Sequence, residues 1–308
     1  MDYVLQTNNI NKKYKNQNVL ENVNINIAKG DIYGFVGENG SGKTTIIRII
    51  TGLIFPTKGT FKLFGVDSTS PDIVKIRNKI GAIVETPSIY KNMSAYENLK
   101  MQCEILGIKD YDSKIKTALT EVGLSDLVDN KKQASNFSLG MRQRLGIAMA
   151  LLGDIEFLIL DEPMNGLDPA GIVEIRELIL KLNKEKNITF LISSHILTEL
   201  SLVATKYGII SKGKIIKEVS SETLKNDCRK TMVIESNDNN KAYDILKTKI
   251  EENKITLCDN SIKIYEYENV NNILNLLLSN DININKINCM ETNIEDYYLS
   301  TIGGKNND

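Results

Sequence analysis

The run Gly37-Glu38-Asn39-Gly40-Ser41-Gly42-Lys43-Thr44 constrains the fold of this 308-residue chain more than any other segment. It fits the phosphate-binding P-loop pattern G-x-x-x-x-G-K-[ST]. The apolar stretch 32–36 before it is typical of a buried strand, and the largely apolar stretch 45–50 after it is typical of a helix. Because strand, glycine-rich loop and helix follow one another in this order, the sequence predicts a nucleoside triphosphate site.

The residues of this loop have distinct expected roles. Glycines let the backbone curl so that N–H groups point at phosphate oxygens, and the helix that follows adds the positive end of its dipole. Lys43 is expected to reach the β- and γ-phosphates, and Thr44 to place its hydroxyl on Mg²⁺. The predicted nucleotide-binding set is Gly37, Asn39, Gly40, Gly42, Lys43, Thr44 and Thr45.

Composition and charge argue against several classes of protein. The net charge of −1 lacks the basic excess of a general nucleic-acid binder, so no nucleic-acid partner is expected. The longest apolar run, at 145–160, is interrupted by Asp154 and Glu156 and falls short of a membrane span. The start of the chain lacks the regions of a signal peptide, so none is expected. The four cysteines form no C-x-x-C pair and are predicted to be reduced structural thiols.

Strand and helix patterns alternate over the first 220 residues, which predicts a parallel α/β sheet. Segment 157–160 is continuously apolar, as in a strand buried on both faces. The predicted strands are 4–7, 23–27, 59–65, 80–84, 157–160 and 188–192, with a helical region at about 88–152 and a helix at 172–182.

The pattern changes after about residue 220. Strands are predicted at 231–235, 255–257, 262–267 and 282–289, and helices at 241–250 and 270–278. This β-α-β-β-α-β order indicates a small split βαβ domain. The sequence therefore predicts a nucleotide-binding domain over 1–220, with its helical subdomain at about 88–152, and an α+β accessory domain over 221–308. The tail 303–308 is expected to be disordered.

Two carboxylates follow the apolar strand 157–160. Because ligands bind at the carboxyl ends of parallel strands, Asp161 is expected beside the P-loop, in the shell of Mg²⁺. Glu162 is placed to polarise an attacking water as general base. The alternative is an acidic pair that caps the next helix.

A third segment, Asn136-Phe137-Ser138-Leu139-Gly140-Met141-Arg142-Gln143, opens a helix shortly before that strand. Here the chain resembles the ATP-binding cassette (ABC) ATPases, whose signature is Leu-Ser-Gly-Gly-Gln. Ser138 and Gly140 match the signature and the other three positions depart from it; taken alone, the run would be a helix N-cap. A hydroxyl and free N–H groups at a helix start suit a phosphate. The resemblance covers about residues 3–220 and implies the fold of an ABC-type P-loop NTPase that binds ATP and Mg²⁺.

Further positions match this family in order. The segment Asn165-Gly166-Leu167-Asp168 resembles the family's D-loop, which assigns Asp168 to nucleotide binding. His195, the only histidine of the chain, follows the strand 188–192 and resembles the switch histidine that contacts the γ-phosphate. Tyr14 resembles the aromatic residue that stacks on adenine. A structural histidine and an ordinary half-buried tyrosine remain the alternatives for these two residues.

One departure concerns Glu85, which follows the predicted strand 80–84. The family usually has a glutamine there, which contacts Mg²⁺ and water and couples the cassette to its membrane partner. A glutamate resembles the subgroup that serves bacitracin- and lantibiotic-resistance exporters. By this resemblance Glu85 is expected to be a metal ligand with a catalytic role; drift to a similar side chain without a change of role remains open.

The resemblance implies the ATPase subunit of an exporter at the cytoplasmic face of the cell membrane. The chain would pair head to tail with a second copy or a partner cassette, and separate permease subunits would supply the pathway. The implied cargo is a lantibiotic or bacitracin-like peptide, with a role in resistance or self-immunity. The alternatives are an exporter with an unrelated cargo, a soluble ABC-type ATPase acting on ribosomes or DNA, and a nucleotide sensor. The second cassette or long coiled coil of the soluble machines is missing from this sequence, and Glu162 and His195 argue against a mere sensor.

Overall fold

Five parallel strands form the framework of the first of two compact units. The computed structural model describes residues 2–267, 269–290 and 293–303, and the chain divides into the units Met1–Ser221 and Glu222–Asp308. Along the chain, the elements up to the boundary are β1 Tyr3–Tyr14, β2 Gln17–Val23, β3 Asn26–Ala28, β4 Ile32–Val36, α1 Lys43–Thr51, β5 Lys58–Leu63, β6 Val66–Asp67, α2 Ile73–Arg77, β7 Ile80–Ile83, α3 Ala95–Ile105, α4 Tyr111–Glu121, α5 Leu139–Ala150, β8 Phe157–Asp161, α6 Pro169–Lys186, β9 Thr189–Ser194, α7 Leu197–Leu200, β10 Lys206–Ser211 and β11 Lys214–Ser220. Helix α8, Ser221–Asp227, begins at the boundary and belongs to the second unit except for its first residue.

The central sheet has the strand order β11-β10-β4-β9-β8-β7. Its five strands from β10 to β7 run parallel, and β11 is added antiparallel at one edge. Every residue of β4, β8 and β9 is buried, because helices cover both faces of a parallel sheet. The carboxyl ends of these three strands therefore meet at one edge, where the polar residues that follow them come together.

A second sheet, in which β3 also pairs with β1, has the order β2-β1-β5-β6 and is antiparallel. The prediction of one strand over 23–27 is wrong, because Asn24 and Ile25 separate β2 from β3. One backbone hydrogen bond remains there, from the Thr7 N–H to the Ile25 carbonyl oxygen at 2.9 Å, and side chains supply others: Thr7 Oγ1 accepts from the Ile25 backbone N–H at 2.7 Å, and Asn24 Oδ1 accepts from the Asn9 N–H at 2.8 Å. The alternation pattern also missed most of the 12-residue strand β1.

The predicted helical region contains the helices α3, α4 and α5. α3 begins with a capping box, in which the Ser94 hydroxyl accepts from the Glu97 N–H and the Glu97 carboxylate accepts from the Ser94 N–H. In the part of the chain that the structure describes, no helix combines the length and apolar character that a bilayer crossing requires.

The second unit is an antiparallel sheet with its own apolar core. Its elements are β12 Thr231–Ser236, α9 Asn239–Lys247, β13 Ile255–Cys258, β14 Ser261–Tyr265, α10 Val270–Leu278, β15 Ile284–Met290 and α11 Ile294–Gly303. The strand order β13-β14-β12-β15, with every pair antiparallel, is that of a split βαβ fold. The sequence did not predict α11, whose last residue is Gly303; the rest of the tail expected to be disordered lies outside the described residues.

Candidate nucleotide-hydrolysis site

The glycine-rich loop between β4 and α1 is packed too tightly for side chains at two of its glycines. A β-carbon at Gly37 would lie 2.4 Å from the carbonyl oxygen of Ile210. Gly42 has a φ of +112°, and a β-carbon there would lie 2.6 Å from Leu20 Cδ2. Glycine is therefore required at both positions, while Asn39 and Gly40 lie exposed at the tip of the loop.

Lys43 begins α1 and is almost completely buried. Its Nζ donates to the carbonyl oxygen of Gly37 at 2.6 Å and lies 3.2 Å from Glu162 Oε1. No side chain caps the start of α1, so the first-turn N–H groups, including those of Thr44 and Thr45, are left for another acceptor. A buried ammonium beside uncapped helix N–H groups forms an anion-binding site.

Asp161 lies at the carboxyl end of β8, directly opposite Ser193 of β9. Its side chain is 1% exposed, and Oδ1 accepts a hydrogen bond from Ser193 Oγ at 2.5 Å. Its second oxygen, Oδ2, is buried and has no hydrogen-bond partner. Burying a carboxylate oxygen without a partner is costly, and a cation bound there would compensate for that cost.

Glu162 lies between two cationic or potentially cationic groups. Lys43 Nζ approaches Oε1, and His195 Nδ1 lies 2.7 Å from Oε2. The Glu162 backbone has a φ of +52° and donates to Ser193 Oγ at 2.9 Å. A left-handed conformation at a residue other than glycine costs about 1–3 kcal/mol and persists only where the surroundings hold it. The structure thus brings together four of the predicted site residues: Lys43, Asp161, Glu162 and His195.

A cavity of about 90 Å³ lies beside this cluster and is lined by Glu162, His195, Glu199 and the segment 165–167. Burial raises the pKa of Glu199; the positive charge of a protonated His195 opposes this shift, and the negative charge of Glu162 adds to it. The cavity therefore places a second carboxylate close to the two catalytic candidates.

The predicted signature and D-loop residues cap helices. Ser138 is the N-cap of α5, and its hydroxyl accepts from the Met141 N–H at 3.2 Å. Asp168 is the N-cap of α6 and accepts from the Gly171 N–H at 3.1 Å. Gly140 lies in the first turn of α5 and is partly exposed. The hydrogen bonds of Ser138 and Asp168 stay within their own helices.

Tyr14 and Glu85 lie in more exposed positions. Tyr14 ends β1 at 44% exposure, with Lys12 Nζ 4.9 Å from the centre of its ring. The Glu85 side chain is 58% exposed, and its Oε1 lies 2.5 Å from Arg48 Nη2 of α1. The structure therefore pairs Glu85 with a cation of the chain itself.

Comparison with known proteins decides the family. The family described as "ABC transporter" matches residues 20–165. The bacitracin transport ATP-binding protein BcrA of Bacillus licheniformis is 42% identical over 306 residues, which are 99% of this chain and 99% of that protein. This chain is an ABC transporter ATP-binding protein. The lantibiotic transport ATP-binding protein SrtF of Streptococcus pyogenes is 45% identical over 215 residues, 70% of this chain and 90% of that protein.

Solved structures of ABC cassettes share the fold. The cbiO1 protein of Clostridium perfringens, described as part of an ABC transporter complex, matches with a TM-score of 0.66 and 27% identity over 74% of this chain and 92% of its own. A dimeric bacterial ABC transporter cassette matches with a TM-score of 0.63 and 26% identity, over 70% and 98% of the two chains. The predicted fold class and family are confirmed, and the chain is an ATPase that uses ATP and Mg²⁺.

The donor set of this ABC ATPase fits the magnesium ion that the family uses. Mg²⁺ prefers oxygen ligands and is usually bound by one or two protein groups together with phosphate oxygens and water. The unpartnered Oδ2 of Asp161 is such a ligand. No group of three or more His, Cys, Asp or Glu side chains within the described residues is arranged to hold a metal.

Sequence reasoning missed three residues of this ABC site. Ser193 joins Asp161 to Glu162, and it has no local signal because the pairing of β8 with β9 belongs to the tertiary structure. Glu199 follows His195 by four residues, which could have indicated its place beside the cluster. Arg48 follows Thr44 by one helical turn, and this spacing could have indicated that the two residues lie on the same face of α1.

Proposed function

We propose that the chain is the ATP-hydrolysing subunit of an ABC exporter that removes a bacitracin-like peptide or a lantibiotic from the cell membrane and so confers resistance or self-immunity. The observation that carries this proposal is the length of the similarity to the bacitracin transport ATP-binding protein. It extends over 99% of both chains and thus includes the second unit, whereas many kinds of transporter share the cassette. The match to the lantibiotic relative supports the same class of cargo.

The geometry supports a separate chemical role for each residue of the site. Lys43 and the N–H groups at the start of α1 bind the phosphates, and Glu162 accepts a proton from the attacking water. His195 contacts Glu162 at 2.7 Å and would contact the γ-phosphate of bound ATP. Thr44 and Asp161 would hold Mg²⁺, with Glu85 as a further candidate ligand, and the ion would neutralise charge on the phosphates. Tyr14 offers its ring to adenine.

A head-to-tail pair of cassettes would complete the site. The chain has one P-loop and one signature segment, and the hydrogen bonds of Ser138 and Asp168 are confined to their own helices. In such a pair, the Ser138–Gly140 segment of one chain faces the phosphates bound by the other. Ser138→Arg should leave ATP binding to a single chain unchanged and abolish cooperative hydrolysis, because bulk and charge would occupy the place of the partner's γ-phosphate. Cooperative kinetics in this variant would contradict the pairing.

A groove of about 480 Å³ offers a place for the permease at the cytoplasmic face of the membrane. Residues of β7, α3 and α5 line it, together with Thr86 and Pro87. Leu53 and Leu106 on its border are 64% and 47% exposed. Exposed leucines beside a groove are typical of protein interaction sites. Glu85, the further candidate ligand of Mg²⁺, precedes Thr86 in the sequence and would link the site to this groove.

Antibiotic susceptibility of cells tests the proposed function directly. Cells that express the chain with its permease are expected to tolerate bacitracin or a lantibiotic, and Glu162→Gln should abolish this protection at an unchanged protein level. Glu177→Gln, an exposed Glu on α6, is the matched control and should protect fully. Hydrolysis that depends on Glu162 without protection against any peptide antibiotic would favour an unrelated cargo.

A further inference from the structure

Glu85 lies just beyond the end of β7 in a left-handed backbone conformation, with a φ of +65°. Residues other than glycine rarely adopt this conformation, and it persists where the surroundings over-determine it. The contact that holds the side chain is the charge-assisted hydrogen bond from Arg48 Nη2 to Glu85 Oε1, at 2.5 Å. Arg48 therefore decides where this carboxylate lies.

Arg48 and the predicted metal ligand Thr44 lie on one face of α1. Positions i and i+4 of a helix are one turn apart, with their β-carbons about 5–6 Å from each other. Thr44 lies in the first turn of α1 and Arg48 in the next. The Glu85 carboxylate is thus held about one helical turn beyond the position from which Thr44 would bind Mg²⁺.

The segment around Glu85 also belongs to the groove described above. Its neighbours Val84, Thr86 and Pro87 line that groove. The residues on either side of Glu85 therefore face the groove, while its carboxylate contacts α1 through Arg48.

We propose that Arg48 is a positioning residue that competes with Mg²⁺ for Glu85, so that the carboxylate pairs with Arg48 in the nucleotide-free chain and passes to the metal when Mg²⁺ and ATP bind. The inference rests on the proposed function, because it needs the metal beside Thr44. The side chains of Arg48 and Glu85 are 40% and 58% exposed. Ion pairs this exposed are favoured over the separated side chains by about two- to fivefold. Binding of the nucleotide and metal can overcome a preference of this size.

The affinity of the full-length chain for Mn²⁺ tests this competition without measuring hydrolysis. The chain is saturated with the non-hydrolysable ATP analogue AMP-PNP, and Mn²⁺ binding is followed by electron paramagnetic resonance. Arg48→Gln should tighten Mn²⁺ binding about two- to fivefold, because the competing guanidinium is gone. Arg48→Lys keeps the charge and should stay close to the unmutated chain. In the Glu85→Gln background, the effect of Arg48→Gln should disappear, because a neutral amide forms no ion pair with Arg48 that the metal must break.

Arg229→Gln in the second unit is the matched control. Arg229 pairs with Glu266, and their side chains have similar exposures of 38% and 52%. An unchanged Mn²⁺ affinity in Arg48→Gln, an equal tightening in the Glu85→Gln background, or an equal tightening in Arg229→Gln would each overturn the competition. If Arg48→Gln unfolds, a twofold or larger change in Arg48→Lys would overturn it as well, and affinity at the unmutated level would support it.

A separate variant distinguishes this inference from the proposed function. Lys43→Ala should weaken binding of AMP-PNP whether or not Arg48 competes with the metal. If Lys43→Ala binds the analogue normally, the proposed ATP site and the inference fail together. If Lys43→Ala loses binding and Arg48→Gln leaves Mn²⁺ affinity unchanged, the inference fails by itself.

Discussion

The two units of the chain use buried side chains in different ways. In the first unit, Lys43 and Asp161 are charged and almost fully buried at the carboxyl-end edge of a parallel sheet. In the second unit, Ser236 is the single buried polar side chain among the described residues, and the buried positions of its antiparallel sheet are otherwise apolar. Burying a charge is costly unless it is paired or meets a ligand. Buried charges that can meet a ligand are therefore concentrated in the first unit, whereas burial in the second serves stability.

The largest expected effect tests the buried cluster of the first unit. Glu162→Gln keeps the size of the side chain and removes the general base, so the rate of ATP hydrolysis should fall about 10²–10⁴-fold. ATP binding should persist, and the dimer should become more stable because unhydrolysed nucleotide bridges the two chains. Turnover is measured by phosphate release and dimerisation by size exclusion with ATP. Full turnover in this variant would remove Glu162 from the mechanism.

A pair of core substitutions compares the units directly. Ile234 of β12 and Leu160 of β8 are both fully buried, and truncation of either to alanine should cost about 2–5 kcal/mol of unfolding free energy. Leu160→Ala should also weaken ATP binding, because Asp161 follows directly. Ile234→Ala should leave ATP affinity unchanged. Denaturant unfolding and nucleotide titration check both, and a loss of ATP affinity in Ile234→Ala would show that the second unit supports the site.

Lys43→Ala tests the anion-binding site itself. Removing a charge-assisted contact to the phosphates should weaken ATP binding about 10- to 100-fold. Nucleotide titration by fluorescence measures this loss. Lys249→Ala, an exposed change of the same kind in the second unit, should leave the affinity unchanged, and equal affinities for the two variants would contradict the P-loop assignment.

The smallest expected effect concerns the pH dependence of stability. Burial raises the pKa of Glu199 above its ordinary value of 4.5, so the folded state disfavours the charged carboxylate. Below pH 4.5, the carboxyl group is protonated in both the folded and the unfolded chain, and its burial does not reduce stability. As the pH rises through the folded pKa, the buried group must become charged, and stability falls. Glu199→Gln should therefore raise the melting temperature at pH 7, and its advantage should shrink toward pH 4.

Glu156 provides the opposite case in the same unit. Hydrogen bonds from Lys79 and Lys29 lower its pKa, so its charged form stabilises the fold above the unfolded pKa and this contribution is lost on acidification. Glu156→Gln should lower the melting temperature at pH 7, with a smaller difference in acid. A shift of the same sign in Glu156→Gln and Glu199→Gln would contradict these assignments.

Several features could be derived from local sequence. The P-loop, the apolar strand before Asp161 and the order of elements in the second unit are local patterns, and the structure has the corresponding elements at or near the predicted positions. The patterns failed where the side chains of Thr7 and Asn24 take over part of the strand pairing, between β2 and β3. α11 was missed although its start is marked in the sequence: Asn293 Oδ1 accepts from the Asp296 N–H at 2.7 Å, and Glu295 and Asp296 lie in the first turn.

Residue types and their spacing determined by themselves that the chain has a nucleotide site, a parallel α/β framework and a second small domain, because backbone curvature, helix dipoles and strand burial depend on neighbouring residues. The tertiary structure alone decided that Ser193 joins Asp161 to Glu162, that Lys43 and His195 flank Glu162, and that Arg48 holds Glu85. These contacts join side chains brought together by the order of strands in the sheet. Strand order depends on the packing of the whole unit, and no short stretch of sequence encodes it.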